Sequence, residues 1–380
     1  GVFVHWGVYS IPAKGEWLMM VERWSPDEYA GLVKQFNPSK DCVKKWVKAA
    51  KDAGAEYMVF TTRHHDGFCL YDSKASIGNF TVMNSPAKHD FVADFARECR
   101  AAGMKVGFYY SIADWRILTH SKGKAIPENV EKVRRQAMEQ VRELLTNYGK
   151  VDILWWDGPF GYDEKGILQG KEWPNWNPAE LNAMARELQP GIAINNRAGS
   201  DEDFSTPEQE IRAAKSGRAW ESCMTMNDHW GYDRWDNNWK RVSELISNIV
   251  TCASSQGSYL LNIGPMPDGS VPKPSIERLS EIGKWMRAYG DTIRDAKAME
   301  IPCGFVVLRK GDTLYLHLRA WCGSTLRVTH IPGKVTEAYF VKSRTPVKFR
   351  QVDDLIYLTD MPSQPEDEYD TVIALQVAGS

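Results

Sequence analysis

Short apolar runs alternate with amphipathic stretches along most of the chain, and several of the amphipathic stretches stop at a glycine. The strand candidates are Val2–Trp6, Tyr57–Thr62, Lys105–Ser111, Asp152–Asp157, Ile192–Asn196, Ala219–Cys223 and Tyr259–Ile263. Between them, helical patterns run over Cys42–Ala53, Phe91–Ala102 and Glu128–Tyr148, followed by Gly54, Gly103 and Gly149, where a left-handed C-cap is wanted. Further helices fit Pro178–Leu188, Trp239–Ala253 and Lys273–Tyr289. Strand, helix, glycine, strand, repeated about seven times, is the rhythm of parallel βα units. The runs YMVFTT and VDILWW are apolar throughout, as in a parallel sheet covered on both faces. Polar residues gather just past the strand ends, in HWG, RHHDG, YYS, WDG, NNR and NIGP. A closed (β/α) barrel of the TIM type brings those ends to one mouth, which favours it over an open doubly wound sheet. Neither GxGxxG nor GxxxxGK[ST] occurs, so no nucleotide site is indicated.

After residue 296 the texture changes. FVVLRKGDTLYLHLRAW, TLRVTHI, VTEAYFVKS, DLIYLTDM and DTVIALQV are short alternating runs with turns between them, the pattern of an antiparallel β-sandwich. The expected division is a barrel over residues 1–296 and a sandwich over 297–380, in keeping with a length of 380 residues that exceeds one ordinary core.

A formal net charge of −2 gives no reason to expect a nucleic-acid partner, and no run approaches the ~18 apolar residues of a membrane span. Fifteen tryptophans suit pockets that stack on sugar rings, although a large aromatic core would use them too. Seven cysteines, an odd number without CxxC or CxxH spacing, read as buried thiols rather than a disulfide scaffold. The opening GVFVHWG reads as the inside of a strand, so a truncated N-terminus is expected, and no signal peptide is visible. No feature reads on oligomeric state.

The apolar strand VDILWWDGPF ends in Asp157, followed by Gly158 and Pro159, which do not begin a helix cleanly. Helix capping is one account of that carboxylate and catalysis beside two tryptophans is the other. In TTRHHDGF, Gly67 suggests that the strand breaks and turns His64 and His65 into one pocket. Three accounts stay open for the pair: a metal site joined by His5, satisfied core histidines, or hydrogen-bonding partners for sugar hydroxyls. Glu208 lies in DFSTPEQEI, on what reads as a loop above the mouth. A lone loop Glu is usually solvated, but a retaining glycosidase needs a second carboxyl group ~5–5.5 Å from its nucleophile. Glu16, Asp66, Asp114 and Glu221 compete for that place. Arg197 closes the IAINNR run, to hold a carboxylate or to make a plain structural ion pair.

The segments HWGVYS, GEW, FNP, AGAEYMVFTTRHHDGF, GFYYS, TNYG, LWWDG, DFSTPEQ, WGY and LLNIGP, in this order, resemble glycoside hydrolase family 29, the α-L-fucosidases. The resemblance runs along essentially the whole chain, and HHDGF together with LWWDG is specific. It implies Asp157 as nucleophile and Glu208 as the acid/base of some members. It further implies that His5, Glu16, Trp17, His64, His65, Tyr109, Arg197 and Trp230 line the fucose pocket, without metal or cofactor. A periplasmic or secreted bacterial location follows only by analogy with the family. Two departures are visible. Asn195–Asn196–Arg197 stands where N-D-R is frequent, and Leu18, Met19 and Met20 follow GEW.

The expected activity is therefore an exo-α-L-fucosidase acting on fucosylated glycans by double displacement. Trp17, Tyr109 and Trp230 should form apolar walls, and the loops Leu18–Tyr29, Ile117–Glu128 and Phe160–Trp176 should set linkage preference. The rivals are an α-galactosidase-like retaining barrel, a metal-dependent barrel hydrolase using His5, His64, His65 and Asp157, and a sugar-binding module without turnover.

Overall fold

The helices form where one stripe is apolar and the C-terminal residue can turn left-handed. α1 (Cys42–Asp52) buries Cys42, Val43, Trp46, Val47 and Ala50, and α2 (Phe91–Ala101) buries Phe91, Val92, Phe95, Ala96 and Cys99, both at helical spacing. Gly54, Gly103 and Gly149 follow α1, α2 and α3 (Pro127–Asn147) at φ 86°, 68° and 71°, as the glycine signals require. α4 (Pro178–Leu188), α5 (Val242–Ser254) and α6 (Lys273–Tyr289) complete the outer ring. The computed structural model describes residues 1–122, 124–163, 166–167, 174–214 and 217–378. Of the loop 160–176, residues 164–165 and 168–173 lie outside them.

Eight strands make one parallel sheet: β1 (Val2–Val4), β2 (Tyr57–Arg63), β3 (Lys105–Ser111), β4 (Ile153–Asp157), β5 (Ala193–Ile194), β6 (Phe204–Ser205), β7 (Ala219–Met224) and β8 (Ser258–Ile263). Their order is β6-β7-β8-β1-β2-β3-β4-β5, chain order read around a circle. A parallel bridge between Asn195 and Phe204, with the Asp203 N–H donating to the Ile194 carbonyl at 2.9 Å, joins the last strand to the first and closes the barrel. β6 is absent from the strands read in the sequence. It is two residues long and lies among polar neighbours, so it carries no apolar run, and the ladder with β7 supplies what its own pattern lacks.

Antiparallel strands follow. β9 (Lys297–Ala298), β10 (Val306–Lys310), β11 (Thr313–Leu318), β13 (Lys334–Phe340) and β16 (Thr371–Ala378) form one sheet in the order β9-β10-β11-β16-β13. β12 (Leu326–Val328), β14 (Lys348–Val352) and β15 (Leu355–Thr359) form a second, with β15 in the middle. Leu314, Leu316, Ile373 and Leu375 from the first meet Val328, Ile356 and Leu358 from the second in a separate apolar core, the sandwich expected from the alternation. The other face of the larger sheet packs on the barrel. There His317 Nδ1 meets Asp370 Oδ2 at 2.7 Å, and the Trp285 indole of α6 donates to the Asp370 carbonyl at 3.2 Å.

Cys42, Cys69, Cys99, Cys223, Cys252, Cys303 and Cys322 are free thiols, the first five of them buried. Among the described residues no helix is long and apolar enough to cross a membrane.

Candidate active site

The ends of β1 to β7 each deliver a side chain to the mouth. His5 follows β1 and continues its ladder, donating its backbone N–H to the Ile263 carbonyl at 3.1 Å. β2 stops at Arg63, and the turn closed by the Gly67 N–H on the His64 carbonyl, at 3.0 Å with Gly67 at φ 82°, sends both His64 and His65 to the mouth. Tyr109 lies on β3, and Asp157 is the last residue of β4. Arg197 sits in the single turn after β5. Glu208 follows β6 and is tied to β7, because Cys223 N–H donates to the Pro207 carbonyl at 3.1 Å and Gln209 N–H to the Cys223 carbonyl at 3.0 Å. Trp17 and Trp230 come from the loops after β1 and β7.

Together with Phe3, Trp155, Phe160 and Cys223, these residues line one cavity. A roomier cavity, about 220 Å³ against about 140 Å³, opens at the opposite end of the barrel among Val2, Ile249, Leu261, Leu279 and Met286. The strand-end acids, bases and imidazoles converge on the smaller one, and the chemistry belongs there.

Asp157 sits deep, held from three sides. The Tyr109 hydroxyl donates to Oδ2 at 2.9 Å, His65 Nε2 stands 3.7 Å from the same oxygen, and Arg197 Nη1 is 3.5 Å from Oδ1. Burial pushes this carboxyl up. Arg197, His65, the Gly158 N–H and the Tyr109 hydroxyl together outweigh burial and hold it below the ordinary Asp value. Arg197 Nη1 also meets Glu208 Oε2 at 2.7 Å. The Glu208 side chain is 41% exposed against 19% for Asp157, so Glu208 faces the solvent side of the pair.

The three histidines are neutral at neutral pH. Burial pulls His5 down to about 3 and His65 to about 4, and pulls His64 well below its usual value, with the neighbouring imidazoles adding to it. Asn262 fixes the tautomer of His5: its Nδ2 donates to the Trp230 carbonyl at 2.7 Å, leaving Oδ1 to accept from His5 Nδ1 at 2.8 Å. With Nδ1 protonated, His5 Nε2 is an acceptor. Among the described residues, no three His, Cys, Asp or Glu side chains form a metal-ligand group.

The family model described as Alpha-L-fucosidase matches residues 1–291. The chain belongs to the α-L-fucosidase family. It is 28% identical over 332 residues to the tissue α-L-fucosidase of Mus musculus, which covers 79% of this chain and 71% of that one. Among solved structures, α-L-fucosidase isoenzyme 1 from Paenibacillus thiaminolyticus superposes with a TM-score of 0.88 at 34% identity, covering 100% of this chain and 96% of that one. A Bacteroides thetaiotaomicron α-L-fucosidase trapped as a covalent intermediate with 2-fluoro-fucosyl fluoride has a TM-score of 0.83 at 28% identity, covering 99% and 93%. This chain is accordingly a glycoside hydrolase of that family.

Of the residues named from the sequence, Asp157, Glu208, His5, Trp17, His64, His65, Tyr109, Arg197 and Trp230 line the cavity. Glu16 does not. It is buried behind the turn after Trp230, where Oε2 accepts the Gly231 N–H at 2.7 Å, and burial raises its carboxyl. The competing carboxylates are engaged elsewhere. Asp66 accepts the Tyr29 hydroxyl at 2.8 Å, and Asp114 pairs with Arg63 at 2.8 Å and Arg116 at 2.6 Å. Glu221 accepts the Trp155 indole N–H at 2.8 Å. Trp155, one of the two tryptophans read beside Asp157, lines the cavity from two residues before it, and Phe3, which no motif marks, does the same two residues before His5, each on the same face of its strand.

Proposed function

We propose that this enzyme releases terminal α-L-fucose from oligosaccharides and glycoconjugates with retention, Asp157 acting as nucleophile and Glu208 as acid/base. The observation that carries the reading is the shared contact of both carboxylates with one guanidinium nitrogen, at 3.5 Å and 2.7 Å. Their facing oxygens lie no further apart than those two lengths end to end. That bound accommodates the ~5–5.5 Å separation of retaining pairs. The covalent intermediate trapped in the Bacteroides thetaiotaomicron relative supports the same reading.

In the first step Asp157 forms a bond to the anomeric carbon as the glycosidic bond breaks, and the departing oxygen takes its proton from Glu208. In the second, Glu208 takes a proton from water, the hydroxyl oxygen bonds to the same carbon, and Asp157 leaves. The low proton affinity of Asp157 keeps it ionised for attack. Glu208 must part from Arg197 Nη1, now 2.7 Å away, to reach the departing oxygen. Of the three neutral imidazoles, His5 offers Nε2 as an acceptor because Asn262 holds its Nδ1, His65 offers Nε2 because Ser111 Oγ holds its Nδ1 at 2.7 Å, and His64 stands beside both to meet the ring hydroxyls. Trp17, Tyr109, Phe160 and Trp230 supply apolar walls for the C–H face and the C5 methyl group. Unpaired imidazoles penalise a sugar lacking the matching hydroxyl more than one with an altered methyl group. In this reading residues 1–296 are the catalytic unit and 297–380 the sandwich that supports it.

The test is hydrolysis of an aryl α-L-fucoside by wild type and Asp157→Asn, with a chelator arm and an aryl α-galactoside arm. Fucoside turnover that disappears in the variant and ignores chelator supports the reading. Preference for the galactoside, or loss of activity on chelation, overturns it in favour of the corresponding rival.

A further inference from the structure

One buried carboxylate has no part in the proposed hydrolysis. Glu221, on β7, is 4% exposed. Its Oε1 accepts the Trp155 indole N–H at 2.8 Å, and Oε2 accepts the Tyr57 hydroxyl. Those partners stand on β4 and β2, neither of which neighbours β7 in the sheet, so the contacts run through the barrel interior. Barrels ordinarily fill that space with branched aliphatic side chains.

What Glu221 grips matters. Trp155 lines the cavity, with the Arg197 guanidinium 4.7 Å over its ring centroid and Tyr109 stacked on it at 5.6 Å and 22°. An indole pinned at its N–H cannot tilt, and its plane, together with Thr206, which accepts from Nε at 2.8 Å and from Nη2 at 3.0 Å, orients the guanidinium that rests on it. The adjacent Trp156 is pinned by a neutral amide, Asn182 Oδ1, at 2.8 Å. Trp155 instead receives a carboxylate, whose two oxygens answer two donors.

We propose that Glu221 is a positioning residue for the reaction: it holds Trp155, Trp155 carries Arg197, and Arg197 sets the spacing of Asp157 and Glu208. The proposal rests on the hydrolytic reading of the site.

Glu221→Leu removes the acceptor and keeps an apolar filling. Loosening Arg197 from Asp157 leaves the nucleophile held by His65, Tyr109 and the Gly158 N–H alone, so the acid limb of kcat/KM moves to higher pH. The expected loss in kcat is about 10- to 100-fold, the scale of a misplaced catalytic group. Glu221→Gln still offers Trp155 a carbonyl oxygen and restores most of the rate and the wild-type limb. A folded Glu221→Leu whose pH profile superimposes on that of wild type overturns the proposal. If that variant does not fold, Trp155→Phe keeps a ring and deletes the N–H; it should shift the same limb, and an unshifted limb overturns the proposal equally. A crystal structure of the folded variant decides independently of turnover. Arg197 displaced from Asp157 and Glu208 supports the role of Glu221, and both contacts intact refute it. Absence of fucoside turnover in wild type sinks the hydrolytic reading instead.

Discussion

Tyr109 donates its hydroxyl hydrogen to Asp157 Oδ2 at 2.9 Å from a ring clamped between Trp155 on one side and His64, at 5.7 Å and 14°, on the other. The donor cannot swing away, so the carboxylate is met by a fixed dipole. Tyr109→Phe keeps the stack and deletes the donor. A hydrogen bond to a charged group contributes about 1.5–3 kcal/mol. Asp157 is active ionised, and the lost donor favours its protonated form. The acid limb of kcat/KM therefore rises by about 1–2 pH units from its position below the ordinary Asp value, while the rate near neutral pH changes little. A pH–rate profile of the two proteins checks this.

Glu208→Ala separates the two carboxylates by chemistry. An activated aryl leaving group departs without a proton, and a sugar alkoxide does not. The variant should lose about 10²- to 10⁴-fold on a natural disaccharide, the range of general acid catalysis, and far less on an activated aryl fucoside. Normal cleavage of the disaccharide would place the acid elsewhere.

Gly158 takes φ 66°, and a Cβ on it would lie 2.6 Å from Ser111 Oγ and 2.8 Å from His65 Nδ1. Gly158→Ala strains the backbone by about 1–2 kcal/mol and pushes His65 out of its place beside Asp157. Both the unfolding temperature and kcat should fall, read by a thermal scan and by initial rates on the same preparation.

His317 and Asp370 are fully buried where the sandwich meets the barrel, and Thr292 Oγ1 stands 3.3 Å from His317 Nε2. Asp370→Ala strands that imidazole and costs about 1–3 kcal/mol. The expected result is a lower unfolding temperature with kcat/KM at ambient temperature unchanged, because the pair touches nothing in the cavity. A changed kcat/KM in the folded variant would mean that the sandwich acts on the site.

The sequence was most legible where pattern and packing agree. β3, α4 and α6 lie on the residues their periodicity indicates, and three glycines turn left-handed where helices end. Periodicity failed at β6, whose two residues owe their conformation to β7. That failure made Glu208 read as a loop residue, when it stands beside a strand end and bridges to Cys223. Glu16 shows the opposite limit: a family position gives a neighbourhood, while the hydrogen bond to Gly231 decides which way the carboxylate faces.

The barrel closes between β5 and β6 on a single backbone bridge, and the Arg197 side chain spans that junction. Its Nε donates to Thr206 Oγ1 at 2.8 Å, and its Nη2 to the Thr206 carbonyl at 3.0 Å. The cation that serves the two carboxylates is thus also the rivet of the seam. A barrel whose ladder is nearly open at one edge is locked by a side chain in its own cavity, so the site is assembled only when the cylinder is complete. Whatever occupies that cavity and engages Arg197 holds the whole ring of strands shut.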